Sequence, residues 1–235
     1  SAGRMKQGDR RTPEGTLAPS DVEDRNVSGH LGYRLGQHYF GVKAQAYDLA
    51  ANVYVGQPGF LIALPHRDLR KVSLFYEGTQ LTPWLTKLGV NLYRQTIDRD
   101  FRNDVSTAAG PMKIRVLSTS IDKQTTSGLT MRAEMKFSPG SRTVAGVEWE
   151  DDGLAADKAT DTTRTPPGTT TTSLRYDDAK TRTLSVFGQH EIALNDTLTA
   201  TLGARGSRVR SDLRESATNG KANATKDGSD SQFLG

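Results

Sequence analysis

The chain has 235 residues, 34% of them hydrophobic and 25% charged, with a mean hydropathy of −0.59. No run approaches the roughly 20 apolar residues of a membrane-spanning helix, and the absence of cysteine excludes disulfides and thiolate chemistry. A formal charge of +4 arises from 31 basic residues interspersed with 27 acidic ones, with no Lys/Arg block of the nucleic-acid-binding kind.

In chain order, the first predicted strand is 27–35 (VSGHLGYRL), with Val27, Leu31, Tyr33 and Leu35 on one face and His30 and Arg34 on the other. A short turn at 36–38 leads to a second run in which Phe40, Val42, Ala44 and Ala46 alternate with polar residues. A long polar connection is expected over 48–68, then strands at 69–77 and 84–98 joined by a short connector at 78–83. A further loop is expected at 99–111.

The clearest signal lies at 130–149, TMRAEMKF-SPGS-RTVAGVEW. Met131, Ala133, Met135 and Phe137 alternate with Thr130, Arg132, Glu134 and Lys136, which is the period of a strand with two different faces. Pro-Gly then reverses the chain into a second alternating run. Past a long loop at 152–181, which contains DTTRTPPGTTTTS, strands at 183–192 and 197–205 flank a short turn at 193–196. After another loop at 213–230, Gln232-Phe233-Leu234 read as the start of a ninth strand.

The connections thus fall into short ones and long polar ones, which alternate strictly if 112–137 is a single tall strand. About 9–11 residues suffice to cross a bilayer as a strand, so the first part of that strand would stand above the membrane. The expected fold is therefore all-β: an antiparallel transmembrane β-barrel segment of about eight to nine meandering strands, with short periplasmic turns and long outer loops. Leu129, Met131, Ala133, Met135 and Phe137 would face lipid, as would Leu198, Ala200 and Leu202. The same stripes would also suit the core of a β-sandwich. Trp149 suits an aromatic girdle.

Several stretches resemble one family. LSVFGQHEIALNDTLTATLGAR (184–205) is similar to a hairpin common in the barrels of TonB-dependent outer-membrane receptors. FSPGSRTVAGVEWEDD (137–152) resembles another of their hairpins, and 68–104 resembles their repeated strand, short turn and rising strand. The resemblance covers most of the chain through diffuse patterns in the right order. It implies a 22-stranded barrel around an N-terminal plug, importing iron–siderophore complexes, haem or cobalamin with energy from the TonB complex. Residues 1–235 would then be a single partial barrel domain, without the plug, the TonB box or the closing strands. The resemblance implies the bacterial outer membrane as location. It also implies a metal chelate or haem as ligand, lipid and lipopolysaccharide as surroundings, and TonB as a partner through the plug; no cofactor is called for. A passive porin and a soluble β-sandwich binding module are the alternatives.

Ligand-contacting candidates lie in the expected outer loops. His66 and Arg67 in LPHRDLRK are placed to meet haem iron or a metal chelate. Arg99 and Arg102, with Lys113, suit carboxylate or catecholate oxygens, or lipopolysaccharide phosphates. Tyr54 and Phe60 offer stacking surfaces. The cluster Glu148, Glu150, Asp151 and Asp152 has no calcium-loop spacing and reads as a solvated rim. No histidine has metal-site spacing and no nucleophile has a partner at a telling separation, so no catalytic residue is assigned.

Overall fold

Alternation continues far beyond the segments where hydropathy reveals it. In this computed structural model, which describes residues 1–234 (Ala109 and Leu234 by their backbone alone), the chain is almost entirely strand. The long wall strands are β4 (Val22–Leu35), β5 (His38–Val53), β6 (Phe60–Thr79), β7 (Leu85–Ala109), β8 (Met112–Met135), β9 (Ser141–Thr165), β10 (Thr169–Ala193) and β11 (Thr199–Thr218). Each pairs antiparallel with the next in sequence. Before them, β1 (Ala2–Gln7) pairs with β4, and β2 (Arg10–Thr12) with β3 (Gly15–Leu17) forms a separate small hairpin. At the other edge, β12 (Lys221–Ala222) and β13 (Asp227–Leu234) both pair with β11. Among the described residues, β1 and β13 each have only one neighbour, so the sheet is open.

The reading of 112–137 as one strand holds, as β8 shows, and the short turns fall at 36–37, 80–84, 136–140 and 194–198. The long loops do not survive. Of 48–68 only 54–59 lies outside strands, of 99–111 only Gly110-Pro111, and of 152–181 only Pro166-Pro167-Gly168. Thr, Ser and alternating charges occupy both faces of these segments, so they lack an apolar period. Their backbones are nevertheless zipped into the ladder, with Thr169–Thr172 facing Asp161–Arg164 in register, and β-branched threonine suits an extended ladder. The 213–230 segment likewise continues β11, and turns at Asn219-Gly220, where both residues have positive φ (50° and 74°) as a two-residue hairpin turn requires. A 25-residue strand such as β9 spans roughly 80 Å, more than twice the hydrocarbon thickness of about 30 Å.

Register places the two faces. One apolar row runs Leu31, Val42, Leu74, Leu92, Leu129, Trp149 and Leu184 straight across seven strands. Met131, Ala133 and Met135 share that face, and so do Ala200 and Leu202 through Ile192 and His190. Phe137 and Leu198 lie just outside the strands, in turns. The apolar face is open, with Leu31 76% and Leu202 78% exposed. On the opposite face Ser73, Asp122, Thr126, Val144, Ser185 and Ser216 are only 2–9% exposed. Side chains crowd on the inside of a curved wall and spread on its outside, so the polar face is concave and the apolar face convex. Among the described residues no second layer covers the apolar rows, which removes the β-sandwich.

Candidate functional site

The concave face is built in two tiers. In the lower tier, aromatic rings lie flat on glycines of the adjoining strand: Tyr39 on Gly32, Phe75 on Gly41, Tyr93 on Gly128 and Phe187 on Gly146. His30 stacks on Phe75 (centroids 5.3 Å apart) and accepts or donates a hydrogen bond at 3.1 Å with the Tyr39 hydroxyl. Ion pairs lace the rest, such as Arg142–Glu134 at 2.8 Å and Arg205–Glu148 at 2.6 Å.

The upper tier is more basic. Arg67 on β6 and Arg99 on β7 are direct cross-strand partners on the concave face. Like charges in that position repel. Arg99 donates to Asp122, whose other oxygen accepts from Ser120 at 2.6 Å. Lys158 of β9 stands opposite Ser120. Neither Arg67 nor Lys158 has an ion-pair partner among the described residues. A concavity of about 340 Å³ between these strands is lined by Arg99, Phe101, Asn103, Ser118, Ser120 and Lys158. The side-chain oxygen of Asn103 is buried there without a hydrogen-bond donor.

The structure divides the sequence candidates between the faces. Arg67, Arg99 and Phe60 (opposite Val105) share the concave side. His66 points the other way, 3.4 Å from Asp68, and Arg102 is also convex, paired with Asp104 at 3.2 Å. Tyr54, 44% exposed, lies in the 54–59 connection. Apart from Tyr54, none of these six residues is in a loop: all the others lie on β6 or β7. The acidic cluster is split too. Glu148, Glu150 and Asp152 are concave, held by Arg205, Tyr93 and Thr126, while convex Asp151 pairs with Lys180 and Arg182. They form no common ion site. Lys158, Phe101 and Asn103 escaped the sequence reading because they lay in supposed loops. Counting parity along their own strands, from Leu92 on β7 and Trp149 on β9, would have put all three on the concave side.

Beyond the apolar rows, Arg115 grips Asp104 on the convex face through Nε at 2.8 Å and Nη2 at 2.5 Å, with Arg102 behind it. The Arg115 guanidinium, chiefly, holds the Asp104 carboxyl below its ordinary 3.8, against the opposing effect of burial. A depressed acid stabilises the fold above its unfolded pKa and loses that contribution as pH falls through the folded value. Protection of the amides around Ser106 and Arg115, taken as the exchange rate relative to the intrinsic rate at the same pH, is therefore expected to fall below pH about 4 and to be flat from neutrality down to about pH 5. An Asp104→Asn variant should show no such acid step; an identical step would refute the assignment.

The sequence matches the family described as TonB dependent receptor-like, beta-barrel, over residues 13–235. The chain belongs to that family. Its members are outer-membrane transporters of Gram-negative bacteria, not enzymes. No curated protein matches the sequence significantly. Among solved structures, this TonB-dependent receptor chain is similar to the copper transporter OprC (TM-score 0.74, 16% identity) and to the ferric yersiniabactin uptake receptor FyuA from Yersinia pestis (0.62, 15%). It is also similar to BauA, the ferric preacinetobactin receptor from Acinetobacter baumannii (0.59, 12%). Each alignment takes in 99% of this chain but only 37%, 37% and 40% of the respective receptor. At such identities the likeness concerns the fold.

Proposed function

We propose that the chain forms part of the wall of an outer-membrane importer that captures a scarce nutrient as a metal chelate or haem and passes it inward with TonB-derived energy. The convex apolar rows are three to five side chains deep, with Leu88, Val90 and Leu92 on β7 and Leu129, Met131, Ala133 and Met135 on β8, in keeping with the roughly 9–11 residues a tilted strand needs to cross hydrocarbon. Tyr33, Phe40, Tyr76, Trp84 and Phe137 gather at the end with short turns, as an interfacial belt does. That end is read as periplasmic and the taller end as external. Lipid and lipopolysaccharide are then the surroundings of the convex face, and TonB a partner through a plug.

One observation carries the ligand assignment: Arg67, Arg99 and Lys158 converge on the upper concave wall with a single carboxylate, Asp122, among them. An excess of cations facing the lumen suits an anionic chelate, whose carboxylate or catecholate oxygens a guanidinium binds in pairs. Phe101 and Phe60 supply the adjoining apolar surface. FyuA and BauA, by their descriptions, take ferric chelates and OprC takes copper, which supports the class and leaves the chelate to experiment.

The test uses the intact receptor in a deletion strain under iron or copper limitation, supplied in turn with ferric citrate, a ferric catecholate, a ferric hydroxamate, haemin and copper(II). Growth restored by one anionic chelate, with Arg67→Ala weakening its binding roughly 10- to 100-fold, is the expected result. Indifference to every compound tried would reject the import reading.

A further inference from the structure

The convex side carries a surface that capture of a chelate leaves unused. Strands β4–β7 form an apolar groove of about 400 Å³, lined by Leu31, Tyr33, Val42, Leu74, Val90 and Leu92. Two residues beyond Leu92, on the same face, stands Arg94, with Val72 and Ser127 as its cross-strand partners. Other cations at this border are already neutralised: Arg25 by Glu23 at 3.1 Å, Arg70 by Asp48 at 2.5 Å and Arg182 by Asp151 at 3.1 Å. Arg94 is exposed and has no carboxylate partner among the described residues. Arg208, also unpaired among them, borders Leu184 and lies away from the groove. Arg94 is thus a free guanidinium at the mouth of an apolar channel.

We propose that β4–β7 bind one phosphorylated lipid of the outer leaflet, its acyl chain in the groove and its phosphate on Arg94, with the Ser127 hydroxyl as a second donor. The complementarity is of two kinds at once. A guanidinium pairs with two phosphate oxygens, and the groove takes only an apolar tail, so neither a free phosphate nor a neutral lipid satisfies both halves. This site rests on the membrane-spanning reading of the wall.

The experiment purifies the intact receptor from outer membranes in detergent and measures retained lipid by organic phosphorus and mass spectrometry. Wild type and Arg94→Lys are expected to retain the phosphorylated lipid. Arg94→Gln should lose at least about tenfold under the same washes, while Arg182→Gln, whose cation is already paired, should retain it. Leu74→Trp, which fills the groove and leaves Arg94 in place, should also lose it, and this decides the matter if Arg94→Gln does not fold. Unchanged retention in Arg94→Gln or Leu74→Trp by a receptor that needs detergent overturns the lipid site alone. Displacement of the lipid by inorganic phosphate bound in its place also overturns it. A receptor that stays soluble without detergent overturns the membrane reading and the lipid site with it.

Discussion

Met131→Arg is expected to destabilise the intact receptor by about 2–4 kcal/mol, the cost of a cation at the hydrocarbon midplane of a barrel wall. Met131 sits in the middle of the convex apolar rows, with Val90 and Val147 directly beside it. Two controls isolate the cause. Ile121→Arg places the same charge on the same face and the same strand, beyond the apolar rows, where Ile121 is 62% exposed; its cost should be about 0–1 kcal/mol. Thr130→Arg puts the charge on the polar concave face between Asn91 and Glu148, away from hydrocarbon, and should be tolerated. Urea unfolding in phospholipid vesicles ranks the three. Equal stability of Met131→Arg and Ile121→Arg would mean that hydrocarbon is not the neighbour of the apolar rows.

Gly146→Ala should be almost as damaging, for an unrelated reason. The methyl would run into the Phe187 ring, which a rotamer change relieves, and also into the Met131 carbonyl oxygen at 2.5 Å, which belongs to the β8–β9 ladder and has nowhere to go. Overpacking of this kind costs about 1–3 kcal/mol. Gly188, on β10 of the same three-stranded stretch, provides the control, since a methyl there meets nothing closer than 4.0 Å. Gly188→Ala should be neutral, or slightly stabilising through the reduced freedom of the unfolded chain. The pair is separable by heat-modified mobility of the folded receptor in detergent gels. Matching melting of Gly146→Ala and Gly188→Ala would show that the ring-on-glycine packing carries no stability.

How much of this was legible in the residues depends on where water lies. Around Met131 one face is apolar and the other polar, and the alternation alone defines the lower part of β8, the turn after it and the lower part of β9. Around Thr160 and Thr170 both faces are wet, so the same backbone carries no apolar period and reads as a loop. The misplacement of His66 and Arg102 follows from that: within a supposed loop, neighbouring residues have no assigned side. In the ladder, one residue of offset sends His66 to Asp68 on the convex face and Arg67 toward Arg99 on the concave one. The β6 irregularity between Ala63 and His66 makes the parity there harder still to count from the turn.

By itself the sequence determined the all-β class, the antiparallel meander, the short turns, the single long β8 and the identity of most apolar rows. All but the length of β8 are local properties, fixed by side-chain alternation and turn chemistry; β8 follows from the order of short and long connections along the chain. Only the tertiary structure decided which strands extend far past the apolar rows, that the rows lie bare on the convex side, and that Lys158 joins Arg67 and Arg99. Those facts depend on register between strands distant in the chain and on the curvature of the sheet. Such pairings are made by backbone hydrogen bonds, which every residue but proline offers alike, and so they leave little trace in side-chain pattern.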